Sequence, residues 1–270
     1  MATRDAKSNW SPFVGSIFHP TDLSPASAPA FAYALAMALI RRTRLDILHV
    51  GGDSREDWAR FPAVRETLER WGLLEPGSDR SAVYDELAVR VTKVQLKGDP
   101  VSQTLDYVHH NEPDLLVLAT RGRQGLARWL DPSIAQRIGR RSRTMTLFVP
   151  TTGRQFISLD DGHLSLRRIL LPVDRTPDAT EALVKAARAA EAMGDPPVAI
   201  DLLHVGDEAF PDYARPEGDA WIWSEQRRDG PVSDAIVEVA DSLRADLIVM
   251  PTDGRNGALD ALRGSFTERV

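Results

Sequence analysis

The sequence predicts an α/β protein that contains two copies of one doubly wound, parallel-sheet domain, the second lacking its last strand. The first observation is a duplicated beginning, because SIFHPTDLSP at 16–25 returns as RILLPVDRTP at 168–177. The second is a duplicated end, in which PDLLVLATRGRQGLARWLDPSIAQRI at 113–138 aligns with ADLIVMPTDGRNGALDALRGSFTERV at 245–270. Strands that alternate with helices indicate a parallel sheet with helices on both faces.

The first copy begins with a buried strand at 16–18, which stops at the loop His19-Pro20-Thr21-Asp22. Ser24 followed by Pro25 is typical of a helix start, with the serine as N-cap, and predicts a helix over 25–41. The other elements predicted for this copy are a strand at 45–50, a helix at 62–71, a strand at 88–96, a helix from Pro100 and a last strand at 144–149.

The second copy repeats this order with a shorter middle. Thr176-Pro177 repeats the helix-start signal, and Gly194 is a natural stop for the predicted helix 177–193. A strand follows at 198–205, Trp221 and Trp223 share one strand face, and another helix starts at Pro231. Because Val270 aligns with Ile138, about a dozen residues and the last strand are missing, and we expect a full-length gene product to continue.

These boundaries divide the chain into a first domain at 11–150, a polar linker at 151–166 and a second domain at 167–270. The 270 residues of the chain suit two domains of ordinary size, and the hydrophobic content of 43% is typical of globular proteins. The net charge of −6 argues against general nucleic-acid binding.

Compartment and membrane association are predicted from composition and from the N-terminus. The absence of cysteine excludes disulfides and thiol catalysis, and it suits a reducing compartment. The polar start MATRDAKSNW is unlike a signal peptide, and the longest apolar run, 28–40, is too short to span a bilayer. We therefore expect a cytoplasmic protein that binds no membrane.

A glycine-rich loop in the second copy has the chemistry of a phosphate site. Gly254 and Gly257 let backbone N–H groups approach phosphate oxygens, and Arg255 can neutralise their charge. Gly264 and Ser265 open the last helix, whose N-terminus offers unpaired donors and a positive dipole end. The alternative interpretation of the same residues is a tight strand-to-helix turn with an N-cap.

The first copy carries an altered version of this loop. Gly122, Arg123 and Gly125 keep its beginning, but Pro132 stands where the second copy has its third glycine. Proline removes a backbone donor yet remains compatible with a helix start, so Ser133 can still serve as a cap. The sequence therefore predicts that any nucleotide is held mainly by the second copy.

The order of motifs resembles the universal stress protein family. Pro-x-Asp follows the first strand, Leu-His-Val ends the second, Asp-Leu-x-Val leads into Thr-x-Gly-x-x-Gly, and Gly-Ser-x-x-Glu-Arg-Val closes the second copy. The chain looks like a tandem member. The resemblance implies a flavodoxin-like, adenine nucleotide alpha hydrolase-like fold, and one branch of the family binds ATP through such a loop.

By this resemblance, Asp174 faces the adenosine end of an ATP pocket or a bound metal ion such as Mg²⁺, although it could simply cap the next helix. The backbone at Val173 and Val205 would contact adenine, and Thr252 would lie beside the pocket or act as a turn hydroxyl. The loop residues of this site are Gly254, Arg255, Gly257, Gly264 and Ser265. The corresponding candidates in the first copy are Asp22, Val50, Gly122, Arg123, Gly125 and Ser133.

Three functions remain open at this point: a nucleotide-binding stress-response regulator, a scaffold that pairs domains and docks a protein partner, and a weak ATPase. The sequence contains neither a Walker loop nor a base–nucleophile pair that is present in both copies, so these two signatures of catalysis are missing. His49 and His204 are interpreted as packed, hydrogen-bonded strand residues, and His19 as a residue at the pocket edge. The resemblance implies an internal domain pair joined through last strands, and the missing strand leaves an edge that could form a homodimer.

Overall fold

The computed structural model describes residues 14–52, 55–120 and 132–251, and within these ranges it contains two parallel sheets. The first sheet has five strands in the order β3-β2-β1-β4-β5. Its strands are β1 (Ser16–Thr21), β2 (Arg44–Val50), β3 (Arg90–Leu96), β4 (Leu115–Thr120) and β5 (Met145–Pro150). Its helices are α1 (Ala28–Arg41), α2 (Arg55–Arg60), α3 (Val64–Arg70), α4 (Ala82–Asp85), α5 (Pro100–Asn111) and α6 (Pro132–Ser142).

The second sheet has four strands among the described residues, in the order β8-β7-β6-β9. Its elements are β6 (Leu166–Pro172), α7 (Thr180–Met193), β7 (Gly194–Val205), β8 (Trp221–Arg228), α8 (Val232–Leu243) and β9 (Leu247–Ile248). The predicted fold class is therefore confirmed. The predicted domain boundaries remain a prediction, and residues 252–270 lie outside the described part.

Three hydrophobic clusters define the layers. The outer face of the first sheet packs on α5 and α6 through residues such as Phe18 and Leu116. The outer face of the second sheet packs on α8 through Leu170 and Leu203. The largest cluster lies between the sheets, because it contains β1, β2, β4, β6 and β7 together with α1 and α7.

This shared cluster explains why α1 is apolar all round. Every residue from Pro29 to Ala38 is buried, whereas an ordinary surface helix buries only one stripe. We expected an internal interface through last strands. In the described residues, the two units share a core that includes α1, α7 and Val149 of β5, the last strand of the first unit. The role of a last strand of the second unit stays a prediction, because residues 252–270 lie outside the described part.

The linker is part of this core and not a polar tether, contrary to the composition of 151–166. Phe156 and Ile157 are 2% and 0% exposed, and Ile157 forms an antiparallel bridge with Leu164. The Phe156 ring meets the Tyr33 ring edge-on at 4.8 Å, and the Phe156 N–H donates to Tyr33 Oη at 2.8 Å. Four apolar side chains among many polar ones anchor the segment: Phe156, Ile157 and Leu166 are buried in the shared core, and Leu164 packs against it.

Both predicted proline-marked helix starts need correction. Ser24 precedes a 3₁₀ turn at Pro25–Ser27, its side chain makes no capping hydrogen bond, and α1 begins at Ala28. In the second unit α7 begins at Thr180 with Ala179 as its N-cap, and the Asp178 side chain accepts the Thr180 N–H at 2.8 Å.

The helix end predicted at Gly194 and the strand face predicted for the two tryptophans are confirmed. Gly194 is the C-cap of α7. On β8 the Trp221 and Trp223 side chains both pack against the shared core, and both indole N–H groups donate to the Pro216 carbonyl. Ile222 between them is 60% exposed. In the described residues, no helix is both long and apolar enough to cross a membrane.

Candidate functional site

The ends of two neighbouring strands define the candidate site in each unit. β1 lies between β2 and β4, and β6 lies between β7 and β9, with all pairs parallel. The strand order reverses at β1 and at β6, and in open α/β sheets such switch points are where ligands bind. The predicted adjacency of the Asp-bearing strand and the strand before the glycine loop is thereby confirmed.

Hydrogen bonds tie the loop after β1 into one shape. The Ser24 N–H donates to Asp22 Oδ1 at 2.9 Å, and the Leu23 N–H donates to Thr21 Oγ1 at 3.1 Å. Ser27 Oγ donates to the Ser24 carbonyl at 2.7 Å and lies 3.0 Å from Thr21 Oγ1, so it accepts from the threonine hydroxyl. Leu23 adopts a positive φ of 59° within this turn. One oxygen of the Asp22 carboxylate therefore supports the loop.

A buried histidine holds the same backbone position in both units. His49 Nδ1 donates to the Thr21 carbonyl at 2.9 Å, and His204 Nδ1 donates to the Val173 carbonyl at 3.2 Å. Each carbonyl belongs to the residue immediately before the site aspartate. The prediction that both histidines are packed and hydrogen-bonded is confirmed, and their structural role is to position the Asp22 and Asp174 loops.

The two middle segments supply an equivalent aromatic ring to each histidine, although their sequences and lengths differ. Phe61 lies edge-on to His49 with ring centroids 6.3 Å apart, and Phe210 lies edge-on to His204 at 5.9 Å. Sequence reasoning missed both rings, since the segments do not align. A single phenylalanine in each non-aligned segment was the only available signal.

Gly51, directly after β2, leaves room for the His49 ring. A Cβ at Gly51 would lie 2.4 Å from His49 Nε2, so Gly51→Ala is expected to displace the ring from the Thr21 carbonyl and to destabilise the protein by about 1–3 kcal/mol. Gly52→Ala is the matched control, because its Cβ would meet nothing closer than 3.6 Å. Denaturant unfolding of both variants measures the difference, and equal stabilities would contradict this role of Gly51.

The Asp174 loop of the second unit is more open than its counterpart. Asp174 is exposed, and its Oδ1 accepts the Arg175 N–H at 2.7 Å. The hydroxyl of Tyr213 donates to the Asp174 carbonyl and accepts the Ala179 N–H. The segment between β7 and β8 therefore braces this loop through Tyr213 while leaving the carboxylate at the surface.

The structure also locates the three valines that were predicted to contact adenine. The Val173 N–H already donates to the Leu203 carbonyl at 2.8 Å, so this amide is engaged within the protein. Val205 ends β7 opposite Arg228, with its side chain against the α8 cluster. Val50 ends β2 and is buried against the outer cluster of the first sheet.

A small cleft of about 20 Å³ marks the switch point of the first unit. Pro20, Asp22 and Ser27 line it from the β1 loop, and the α6 residues Ile134, Ala135 and Ile138 close it. Helix α6 begins at Pro132, as expected for a proline that is compatible with a helix start. Ser133 is therefore the second residue of the helix.

Several predicted site residues lie outside the described part of the chain. They are Gly122, Arg123, Gly125, Thr252, Gly254, Arg255, Gly257, Gly264 and Ser265. The structure thus gives the strand ends and the Asp loops, whereas the phosphate side of both sites remains a prediction. In the part that the structure describes, no group of three or more His, Asp or Glu side chains could hold a metal ion.

His19 belongs to the core and does not lie at the pocket edge. Its side chain is 0% exposed and faces α1, where the Phe31 ring lies 6.4 Å away. Nδ1 donates to the Val117 carbonyl at 3.0 Å. Burial lowers the pKa of the imidazole from 6.5 to about 4, against the opposing effects of that hydrogen bond and of the Asp22 charge. The ring is neutral at pH 7.

The chain is a tandem α/β protein, and each unit has one switch point of the kind at which open α/β sheets bind ligands. The sequence profile of the universal stress protein family matches residues 15–150 and 222–270, which is more than half of the chain. The chain therefore belongs to the universal stress protein family. No curated protein matches it significantly.

Solved structures support the same fold. A universal stress protein from Archaeoglobus fulgidus DSM 4304 has 16% identity and a TM-score of 0.61 over 96% of this chain and 93% of its own. A functionally unknown protein from Pseudomonas aeruginosa PAO1 has 15% identity and a TM-score of 0.58 over 95% and 88%. Both likenesses concern the fold of the whole tandem chain.

Proposed function

We propose that this protein is a cytoplasmic stress-response regulator that binds one adenine nucleotide, ATP, mainly in its second domain, and that it is not an enzyme. The observation that carries the proposal is the adjacency of β6 and β9 in the sheet. This adjacency brings the Asp174 loop beside the strand that leads into the Gly254-x-x-Gly257 sequence. The family match covers 222–270, the part of the second copy that contains the Gly254-x-x-Gly257 sequence.

The described residues fit the nucleoside end of such a ligand. The Asp174 carboxylate is exposed at the carboxyl end of β6, and a carboxylate is a suitable acceptor for two ribose hydroxyl groups. His204 and Tyr213 hold the backbone on either side of this carboxylate. A carboxylate that is positioned in advance binds with a smaller loss of conformational entropy.

The phosphate end is assigned to residues outside the described part. Gly254, Gly257 and Gly264 would offer backbone N–H donors, while Arg255 and Ser265 would add charge and a hydroxyl. Mg²⁺, if it accompanies the nucleotide, would supply charge neutralisation for the phosphates. Thr252, Val173 and Val205 would complete the pocket through backbone or hydroxyl contacts.

The first domain is the poorer site on two grounds. Pro132 lacks the N–H that Gly264 would offer, and Asp22 is half-buried in a cleft of about 20 Å³, far below the roughly 300 Å³ of a small-molecule pocket. One nucleotide per chain is therefore the proposed stoichiometry. The last strand of the first unit, β5, lies at a sheet edge and is the proposed surface for a homodimer.

Calorimetric titration of ATP with Mg²⁺ into the purified chain tests this proposal. We expect one site per chain, weakened at least about tenfold by Gly257→Val, because a branched side chain prevents phosphate from approaching the backbone. Gly125→Val makes the same change at the aligned position of the first copy and is expected to leave the affinity unchanged.

Other outcomes of the titration contradict distinct parts of the proposal. Two sites per chain, each lost in one variant, would mean that Pro132 is tolerated and that both domains bind. An absence of binding by folded, nucleotide-free protein would exclude nucleotide regulation and favour the scaffold function. Sustained ATP turnover that Gly257→Val abolishes would instead make the protein an ATPase.

A further inference from the structure

A second, larger cavity of about 320 Å³ is lined by other residues of the β1–α1 loop and shares Ser27 with the switch-point cleft. Its walls come from the start of α1, from the α2–α3 segment and from the linker, and its size falls within the range of about 300–1,000 Å³ that small-molecule sites occupy. The apolar part of the wall includes Leu23, Phe31, Pro62 and Leu159.

Two charged residues line this cavity, Arg60 and Arg70, and both are cationic. Arg60 donates to the Leu23 carbonyl at 3.4 Å and lies 3.9 Å from the Asp57 carboxylate. Arg70 donates to the Leu159 carbonyl at 3.4 Å, and no carboxylate of the described residues forms an ion pair with it. Among the described residues, the cavity therefore combines an apolar wall with two guanidinium groups and has no acidic lining residue.

A helix end adds to this positive character. Ser24 lines the cavity, but its Oγ is buried and is not reached by a molecule in the cavity. Ala28, the first residue of the fourteen-residue helix α1, lies on the same wall, at the positive end of the helix dipole.

We propose that this cavity is a binding site for a small molecule with an apolar body and a single anionic head, such as a medium-chain carboxylate. The head is held by Arg60 and Arg70, and the apolar body packs against Phe31 and Leu159. A carboxylate suits the site because guanidinium groups bind it through two parallel hydrogen bonds.

The cavity is specific to the first unit. Helices α2 and α3 belong to the longer middle of the first copy, and the second unit has only the shorter segment 206–220 at the corresponding place in the chain. The linker forms one wall of the cavity, since Leu159 lines it and the Leu159 carbonyl accepts the Trp71 indole N–H at 3.1 Å. We therefore expect one carboxylate per chain, independent of the nucleotide site.

Titration calorimetry with octanoate and its neutral analogue octanol tests this site in the full chain. Octanoate is expected to bind one per chain and at least about tenfold more tightly than octanol. Arg70→Gln should weaken octanoate at least about fivefold and leave octanol unchanged. Arg65→Gln is the matched control, because Arg65 lies on the same helix but pairs with Glu66 and Glu69 and does not line the cavity.

Ala28→Leu provides a second variant, since it fills the cavity from an exposed position and leaves the buried core intact. It should abolish octanoate binding without changing the thermal transition. Saturating ATP should leave one octanoate per chain. Equal affinities for octanoate and octanol, an unchanged affinity in both Arg70→Gln and Ala28→Leu, or displacement of octanoate by ATP would each overturn the proposal.

Discussion

Truncation of Phe156 to alanine is expected to destabilise the protein by about 3–5 kcal/mol and to lower its thermal transition by roughly 10 °C. Phe156 is 2% exposed, and it packs on Tyr33 within the cluster that both sheets share. Its removal leaves a cavity where the linker joins the two units. We expect the loss of stability to be accompanied by separate unfolding of the two units.

Two further variants show whether this effect comes from the linker contact. Tyr33→Phe keeps the ring but removes the hydroxyl that accepts the Phe156 N–H, and should lower stability by about 1–3 kcal/mol. Ile222→Ala removes a side chain that is 60% exposed, and should change stability by less than about 0.5 kcal/mol. Calorimetric unfolding measures all three, and a Phe156→Ala effect as small as that of Ile222→Ala would contradict the shared core.

Replacement of His19 by leucine is expected to reduce the loss of stability that the protein suffers in acid. The pKa of His19 is about 4 in the folded state and 6.5 in the unfolded state, so between these values the unfolded chain binds more protons. The stability contributed by the neutral ring is thus complete above about pH 6.5 and is lost as the pH falls towards 4. The size of this loss is about 3 kcal/mol.

Leucine is the informative replacement because Leu171 occupies the aligned position of the second unit, where it is fully buried. Denaturant unfolding at a series of pH values from 7.5 to 4 should give curves that converge or cross as the pH falls, with His19→Leu the less sensitive. A constant difference between the two proteins over this range would contradict the lowered pKa. The ring signals of His19 in an NMR titration provide an independent measurement.

Much of the fold could be predicted from local sequence. The duplicated Pro-x-Asp and Asp-Leu-x-Val signals predicted both Asp-bearing strands and their neighbours, and the Leu-His-Val pattern predicted that His49 and His204 are buried. Each of these signals lies within one strand and its adjoining loop. Short-range patterns of this kind predict which segments form strands, because apolar runs and turn residues act locally. They were less exact about strand ends, since β1 runs to Thr21 and the predicted strand ended at 18.

The errors concern residues whose environment is made by distant segments. His19 was placed at a pocket edge, yet its ring faces α1, and Ser24 was expected to cap a helix that begins at Ala28. Helices α2 and α4 were not predicted at all. Phe61 and Phe210 reach equivalent histidines from segments that do not align, so no comparison of the two copies could pair them.

The sequence by itself determined the family, the tandem repeat and the two strands whose ends form the candidate site of each unit. Only the tertiary structure decided that α1 and the linker lie in one core between the sheets, and that Arg60, Arg70 and Ser24 line one cavity. The reason is physical. A motif specifies the chemical groups that a segment carries. The burial and the electrostatic environment of those groups depend on which distant segments pack against them, and the hydrophobic effect that drives this packing is non-directional.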